Sequence, residues 1–256
     1  MSARFFSTAE LDQYLTDGFL LVRALVPPAA LAAYESRFEA LVNGDVESAG
    51  SMNIMRDVMV VKGVVEPATK LHGVNKLLRF EDDPVLFGYA QQPELLGRVH
   101  ELVGPNVWSI ATNVFNKPPG VDGRHPFHQD LLYFRLRPAE HIVGTWTALS
   151  ETTRENGCLA VLPGSHHGKL LQHGDPDWEY VNRGFVGVAD DVVASERCYV
   201  EMQPGDTLFF HPLLIHGSGH NRSDGFRRAI SAHFASEACE QPGDDWREAS
   251  FVKHVG

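Results

Sequence analysis

Thirteen histidines punctuate this chain, and one of them opens the run His128-Gln129-Asp130. On an extended backbone side chains alternate with a period of two, so the imidazole and the carboxylate share a face while Gln129 takes the other. A third candidate ligand, His216, follows in another β-prone segment, directly ahead of Gly217-Ser218-Gly219. Two histidines and one carboxylate on a rigid sheet form the facial triad of non-haem Fe(II) oxygenases, which leaves coordination positions open for a cosubstrate and O₂. Iron is therefore the expected metal. With so many histidines a lone His-x-Asp arises readily by chance, and the weight comes from what lies downstream. Arg227, eleven residues after His216, offers a planar guanidinium fork that takes a carboxylate by two hydrogen bonds. Ser218 shares the face of His216 by strand alternation and supplies a hydroxyl donor. The pair suits the far carboxylate of 2-oxoglutarate, whose keto acid end would meet the metal. A register slip by one residue would give Arg228 the place of Arg227.

These groups need a β scaffold, and the sequence supplies one. From Val107 onward, short β-branched and aromatic runs alternate with Gly, Pro, Asn and Asp clusters, the pattern of an all-β sandwich or barrel. Candidate strands cover 107–116, 127–134, 142–148, 159–162, 198–202, 207–211, 215–218 and 228–234, about eight in all, as in a double-sheet jelly roll. Upstream, helical spacing covers 7–17 and 28–42, with Leu31, Tyr34, Phe38, Leu41 and Val42 on one face, Pro28 in a first turn and Asn43-Gly44 as the stop. A strand is expected over 18–26, a second apolar, β-branched segment over 55–65, and a helical stretch over 84–104 broken near Pro93. The fold class is therefore mainly β with flanking helices. One domain spans 1–256, divided into N-terminal support (1–106), jelly-roll core (107–236) and tail (237–256). The long segment 164–197 is expected to form a lid or insertion.

Composition narrows the function. The chain of 256 residues carries 22 basic against 33 acidic side chains, a formal net charge of −11, with 43% hydrophobic and 21% charged residues. That balance excludes intrinsic disorder and disfavours nucleic acid as a partner, since phosphate binding wants clustered Lys and Arg. No apolar run reaches the ~20 residues of a membrane-spanning helix, and the start shows no secretory signal. Three widely spaced cysteines without a CxxC pair point to reduced thiols in a cytoplasmic compartment. Among the remaining histidines, His125 and His211 are expected in supporting roles, and His166 and His167 in solvent.

Three segments carry a more specific signal: RHPFHQD (124–130), ENGCLAVLPGS (155–165) and FFHPLLIHGSGHNRSDGFRRAISAHFAS (209–236). Together with Asp17-Gly18-Phe19 and Met55-Arg56-Asp57 they resemble the phytanoyl-CoA dioxygenase family, in wording most of all the branch acting on phytanoyl-CoA. The resemblance implies a cupin-like double-stranded β-helix and an Fe(II)- and 2-oxoglutarate-dependent hydroxylase, with O₂ consumed, succinate and CO₂ released, and ascorbate as an auxiliary reductant. Carried over by position, His128, Asp130 and His216 would hold iron, and Ser218 and Arg227 the far carboxylate of 2-oxoglutarate. Trp146, Lys62 and Asn113 match further cosubstrate-contacting positions. The implied reaction is 2-hydroxylation of a fatty acyl-CoA. Three alternatives stand beside it: a hydroxylase of a small free metabolite or natural product, a jelly-roll binder of metal or carboxylate without turnover, and a zinc hydrolase using the same ligands.

Overall fold

The computed structural model describes residues 4–189, 192–194 and 196–256. Residues 1–3 of the expected leaderless start, and 190, 191 and 195 of the expected lid, lie outside the described residues. The chain begins with α1 (Thr8–Asp17), which starts where it does because Ser7 and Glu10 satisfy one another's backbone. The Ser7 hydroxyl accepts from the Glu10 N–H at 3.3 Å and the Glu10 carboxylate accepts from the Ser7 N–H at 2.8 Å, a capping box. After β1 (Phe19–Val22), Pro28 opens α2 (Pro28–Asn43) and Gly44, at φ 80°, closes it. Next come β2 (Asn53–Arg56), a single turn α3 (Val58–Val61), β3 (Val74–Leu78), a second single turn α4 (Pro84–Phe87) and α5 (Pro93–Val103).

The remaining strands are β4 (Val107–Lys117), β5 (His125–His128), β6 (Ile142–Ala148), β7 (Leu159–Val161), β8 (Cys198–Val200), β9 (Thr207–Phe210), β10 (His216–Ser218), β11 (Arg227–Ser236) and β12 (Lys253–His254). They form two sheets. The larger runs β1-β9-β6-β11-β4-β3-β2 with β12 added beside β4, and the smaller runs β5-β10-β7-β8. All pairings are antiparallel. The mainly β fold with flanking helices, two facing sheets in a jelly-roll arrangement, is as the sequence led us to expect.

Alternation along β11 explains the layering. Ile230, Ala232 and Phe234 point outward and join Phe38, Leu95 and Val99 of the helices in one core, whereas Ala229 points inward to meet Trp146, Leu159, Val161 and Phe210 between the sheets. Helices thus cover one face of the large sheet and leave the other to line a cavity.

Several expectations need correction. The β-branched run 58–65 does not extend: Asp57 caps it, its carboxylate accepting from the Met59 N–H at 2.9 Å, so the segment turns helical. The expected strand 127–134 stops at His128, and Asp130 opens a 3-10 turn that runs to Tyr133. Strands β3 and β12 were not anticipated. From the N-terminal portion, β1, β2 and β3 join the large sheet.

Candidate metal centre and anion pocket

His128 and His216 are direct partners across the β5–β10 pairing, so the backbone itself sets two imidazoles side by side, with ring centroids 4.4 Å apart. That approach needs Gly217: a Cβ there would sit 2.9 Å from the His125 carbonyl oxygen and 3.1 Å from the Phe127 Cα. The Nδ1 of His128 lies 2.8 Å from the Pro126 carbonyl, and that of His216 lies 3.0 Å from the Leu214 carbonyl. Each carbonyl fixes its ring as the Nδ1–H tautomer and turns the Nε2 lone pair inward. Burial pulls the pKa of His216 down to about 4, which keeps that ring neutral, the form that binds a metal.

Asp130 reaches the same point from the 3-10 turn rather than from the strand. Its Oδ1 lies 3.1 Å from His128 Nε2 and 3.8 Å from His216 Nε2, and its Oδ2 accepts from His233 Nε2 at 2.6 Å. Burial alone would raise its pKa, yet the facing imidazoles of His216 and His233 and the hydrogen bond from His233 hold it well below the usual carboxylate range. One ligand atom from each of His128, Asp130 and His216 lies within 4.8 Å of the others, all three residues buried. Two imidazoles with their Nε2 atoms turned inward and an ionised carboxylate, their outer atoms already tied back, fit a divalent first-row metal such as iron.

The expected anion site adjoins this one. Arg227 is only 3% exposed, and its Nε has no hydrogen-bond partner among the described residues. Its guanidinium carbon lies 5.4 Å from the Trp146 ring centroid, and burial lowers its pKa to about 10. A buried, charged donor left unpaired is costly, and an anionic ligand would relieve that cost. Arg228 takes the opposite face, donating to Glu39 on α2 at 2.6 Å, which settles the register in favour of Arg227. Ser218 Oγ accepts from Lys117 Nζ at 2.9 Å, so its own proton is free for donation. Asn113 is buried with its amide 3.4 Å from Ser231 Oγ.

Seven of the eight sequence-derived site residues, His128, Asp130, His216, Arg227, Ser218, Trp146 and Asn113, line or adjoin one cavity of about 590 Å³. Lys62 does not. It caps α3, exposed, with its ammonium over Tyr180 at 5.5 Å. Lys76 on β3 enters the cavity instead, its ammonium 4.7 Å from the Phe115 ring centroid, and desolvation brings its pKa to about 8 against the opposing pull of Asp130. Sequence reasoning also missed His233 and Lys117. His233 was within reach of it, because it lies at even spacing from Arg227 on one strand and so shares its face.

His125 stacks on His128 with centroids 4.2 Å apart and on Phe185 at 4.0 Å, the supporting role expected of it. Phe185 belongs to the 164–197 segment, which docks on β5 through a hydrogen bond from the Val188 N–H to the Phe127 carbonyl at 2.7 Å. Asn182 anchors the same segment, donating to Asp57 Oδ2 at 3.0 Å and accepting from the Val58 N–H at 2.8 Å. Among the described residues no helix is long and apolar enough to cross a membrane.

Comparison with known proteins agrees with this geometry. A family model described as phytanoyl-CoA dioxygenase (PhyH) matches residues 14–229. The chain is 43% identical over 231 residues to a Caenorhabditis elegans protein named probable phytanoyl-CoA dioxygenase, a match covering 88% of this chain and 73% of that one. It is 44% identical over 230 residues to the Homo sapiens protein named phytanoyl-CoA dioxygenase, peroxisomal, covering 88% and 67%. Among solved structures, the non-heme alpha ketoglutarate dependent carbocyclase SnoK from nogalamycin biosynthesis superposes with a TM-score of 0.73 at 18% identity, covering 98% of this chain and 97% of that one, a likeness of fold. With the family model spanning most of the chain and these identities sustained over more than two hundred residues, the chain belongs to the phytanoyl-CoA dioxygenase family.

Proposed function

We propose that the chain is an Fe(II)- and 2-oxoglutarate-dependent dioxygenase that hydroxylates an unactivated C–H bond, with the 2-position of a fatty acyl-CoA as its target. The observation that carries this reading is the presence, in one cavity, of an inward-facing His-Asp-His cluster and a buried guanidinium whose Nε has no hydrogen-bond partner among the described residues. His128, Asp130 and His216 would hold the iron. Arg227 and Ser218 would hold the far carboxylate of 2-oxoglutarate, with Trp146 beneath the guanidinium, Asn113 alongside and Lys76 adding positive charge. Bound iron and its cosubstrate would supply the oxidant from O₂, with ascorbate keeping the metal reduced. The chain's own work is to turn both imidazole Nε2 atoms inward and keep Asp130 ionised, to pair the diacid, and to exclude water with an apolar wall that includes Ile110, Phe134, Trp246 and Phe251. That wall suits a long acyl chain, and the names of the relatives at 43–44% identity support a CoA thioester.

The test has two parts. Anaerobic mixing of the protein with Fe(II) and 2-oxoglutarate should give a visible charge-transfer band. A panel of acyl-CoA esters, free acids and small amines should then yield substrate-dependent succinate with the acyl-CoA esters. A missing band, or zinc retained with hydrolytic activity, overturns the oxygenase reading; succinate from free acids or amines alone overturns the substrate. The three free thiols, Cys158 and Cys239 buried and Cys198 exposed, support a reducing compartment, and we assign the chain to the cytoplasm. Recovery of the native chain in an organelle fraction on cell fractionation would reverse that assignment, and the human relative is named as peroxisomal.

A further inference from the structure

The cavity is anionic-ligand-ready in its depth and apolar along its wall, and its mouth has a third character. Arg79, Arg135 and Arg183 all line it and all are exposed. Among the described residues none of the three forms an ion pair, although acidic side chains outnumber basic ones in the chain by 33 to 22. Arg79 follows β3 in the left-handed region, at φ 61°, a conformation a non-glycine residue adopts only where the surroundings impose it. Its N–H donates to the Thr112 carbonyl at 2.9 Å, and its guanidinium lies 4.6 Å from the Phe251 ring centroid. Arg135 and Arg183 come from two different segments that the Tyr133 hydroxyl joins, donating to the Gly184 carbonyl at 3.1 Å. Three segments thus bring to the exposed lining of one cavity three guanidiniums with no ion-pair partner among the described residues.

Size says what they would meet. A cavity of about 590 Å³ sits within the ~300–1,000 Å³ that encloses one drug-sized molecule. A diacid, an acyl chain and a nucleotide together exceed it, so the nucleotide of an acyl-CoA must lie across the mouth. We propose that Arg79, Arg135 and Arg183 form a cationic rim that binds the phosphate groups of the CoA portion, so that the enzyme selects nucleotide-bearing thioesters over the same acyl group on a neutral carrier. Guanidinium groups suit phosphate oxygens through paired, charge-assisted hydrogen bonds. This inference rests on the acyl-CoA reading above and assigns the residues that read its polar end.

Binding, measured without turnover, tests it. The protein loaded with Fe(II) and 2-oxoglutarate is titrated under nitrogen with decanoyl-CoA and with decanoyl-pantetheine, which lacks the phosphates. The wild type is expected to bind the CoA thioester at least about tenfold more tightly, with the difference shrinking as ionic strength rises. The variant R79Q/R135Q/R183Q should lose the difference by weakening only the CoA thioester, and the control R154Q/R222Q should keep it. Equal wild-type affinities, or an undiminished preference in the rim variant, overturn the proposal. Should the triple variant fail to fold, the three single variants and the wild-type salt dependence decide it, and a preference indifferent to both overturns it. Intact discrimination without any succinate formation would sink the reaction assigned above and leave the rim standing.

Discussion

His233 shows how much of a candidate metal site lies outside its candidate ligands. By holding Asp130 Oδ2 at 2.6 Å it leaves Oδ1 facing His128 and His216, so the carboxylate cannot rotate without losing a buried hydrogen bond. Phe134 and Phe210 pack around the His233 ring at 5.1 and 5.7 Å, which fixes the donor in turn. Supporting hydrogen bonds of this kind typically contribute about 10–100-fold in metal affinity. His233→Ala should therefore weaken Fe(II) binding by that order in an anaerobic titration, and His233→Gln, which keeps an N–H donor, should recover part of it. Wild-type affinity in the alanine variant would show that Asp130 is oriented by something else. The candidate ligands were legible because their spacing is a property of the chain. Lys76 was not, because a lysine in a short apolar strand differs from Lys62 only in what surrounds it after folding: Phe115 and Phe185 for one, solvent and Tyr180 for the other.

Elements followed the same division. The strand expected over 142–148 is β6 to the residue, and helix α2 differs from its expected bounds by one residue at its end, because each is set by its own periodicity and by a local stop. The failures occur where a distant partner decides. Gln129 ends β5 because its side chain bonds three separate backbone groups: its amide donates to the Leu213 and Lys169 carbonyls at 2.9 and 3.2 Å, and its oxygen accepts from the Leu171 N–H at 2.8 Å. Strand alternation was thus the wrong reason for placing His128 and Asp130 together; the 3-10 turn after Gln129 brings the carboxylate back to the imidazole. The 164–197 segment reads as a lid or insertion in sequence, and what that reading lacks is its anchors: Asn182, on Asp57, and Gly187, where a Cβ would come within 2.8 Å of Pro126, fasten its described part to the cavity wall.

At the scale of the molecule, the site is assembled from parts that do not separate. The large sheet takes β1 from near the start of the chain and β12 from near its end, and Glu101 of α5 accepts from the Phe5 and Phe6 N–H groups at 2.8 and 3.0 Å. The candidate ligands come from β5, β10 and the turn after β5, and the candidate anion site from β11, β6, β4 and β10, so the cavity lies between the two sheets. A chain built this way should unfold as one cooperative unit, with far- and near-ultraviolet circular dichroism tracing a single thermal transition. Fe(II) and 2-oxoglutarate, bound only by the folded form, should raise the midpoint. Saturation at about a hundredfold above Kd adds about 2.7 kcal/mol, which for a chain of this size corresponds to an increase of about 5–10 °C. Two resolved transitions, with only one of them shifted by metal and cosubstrate, would mean that residues 1–106 form a separate unit and that metal and cosubstrate are held by the remainder.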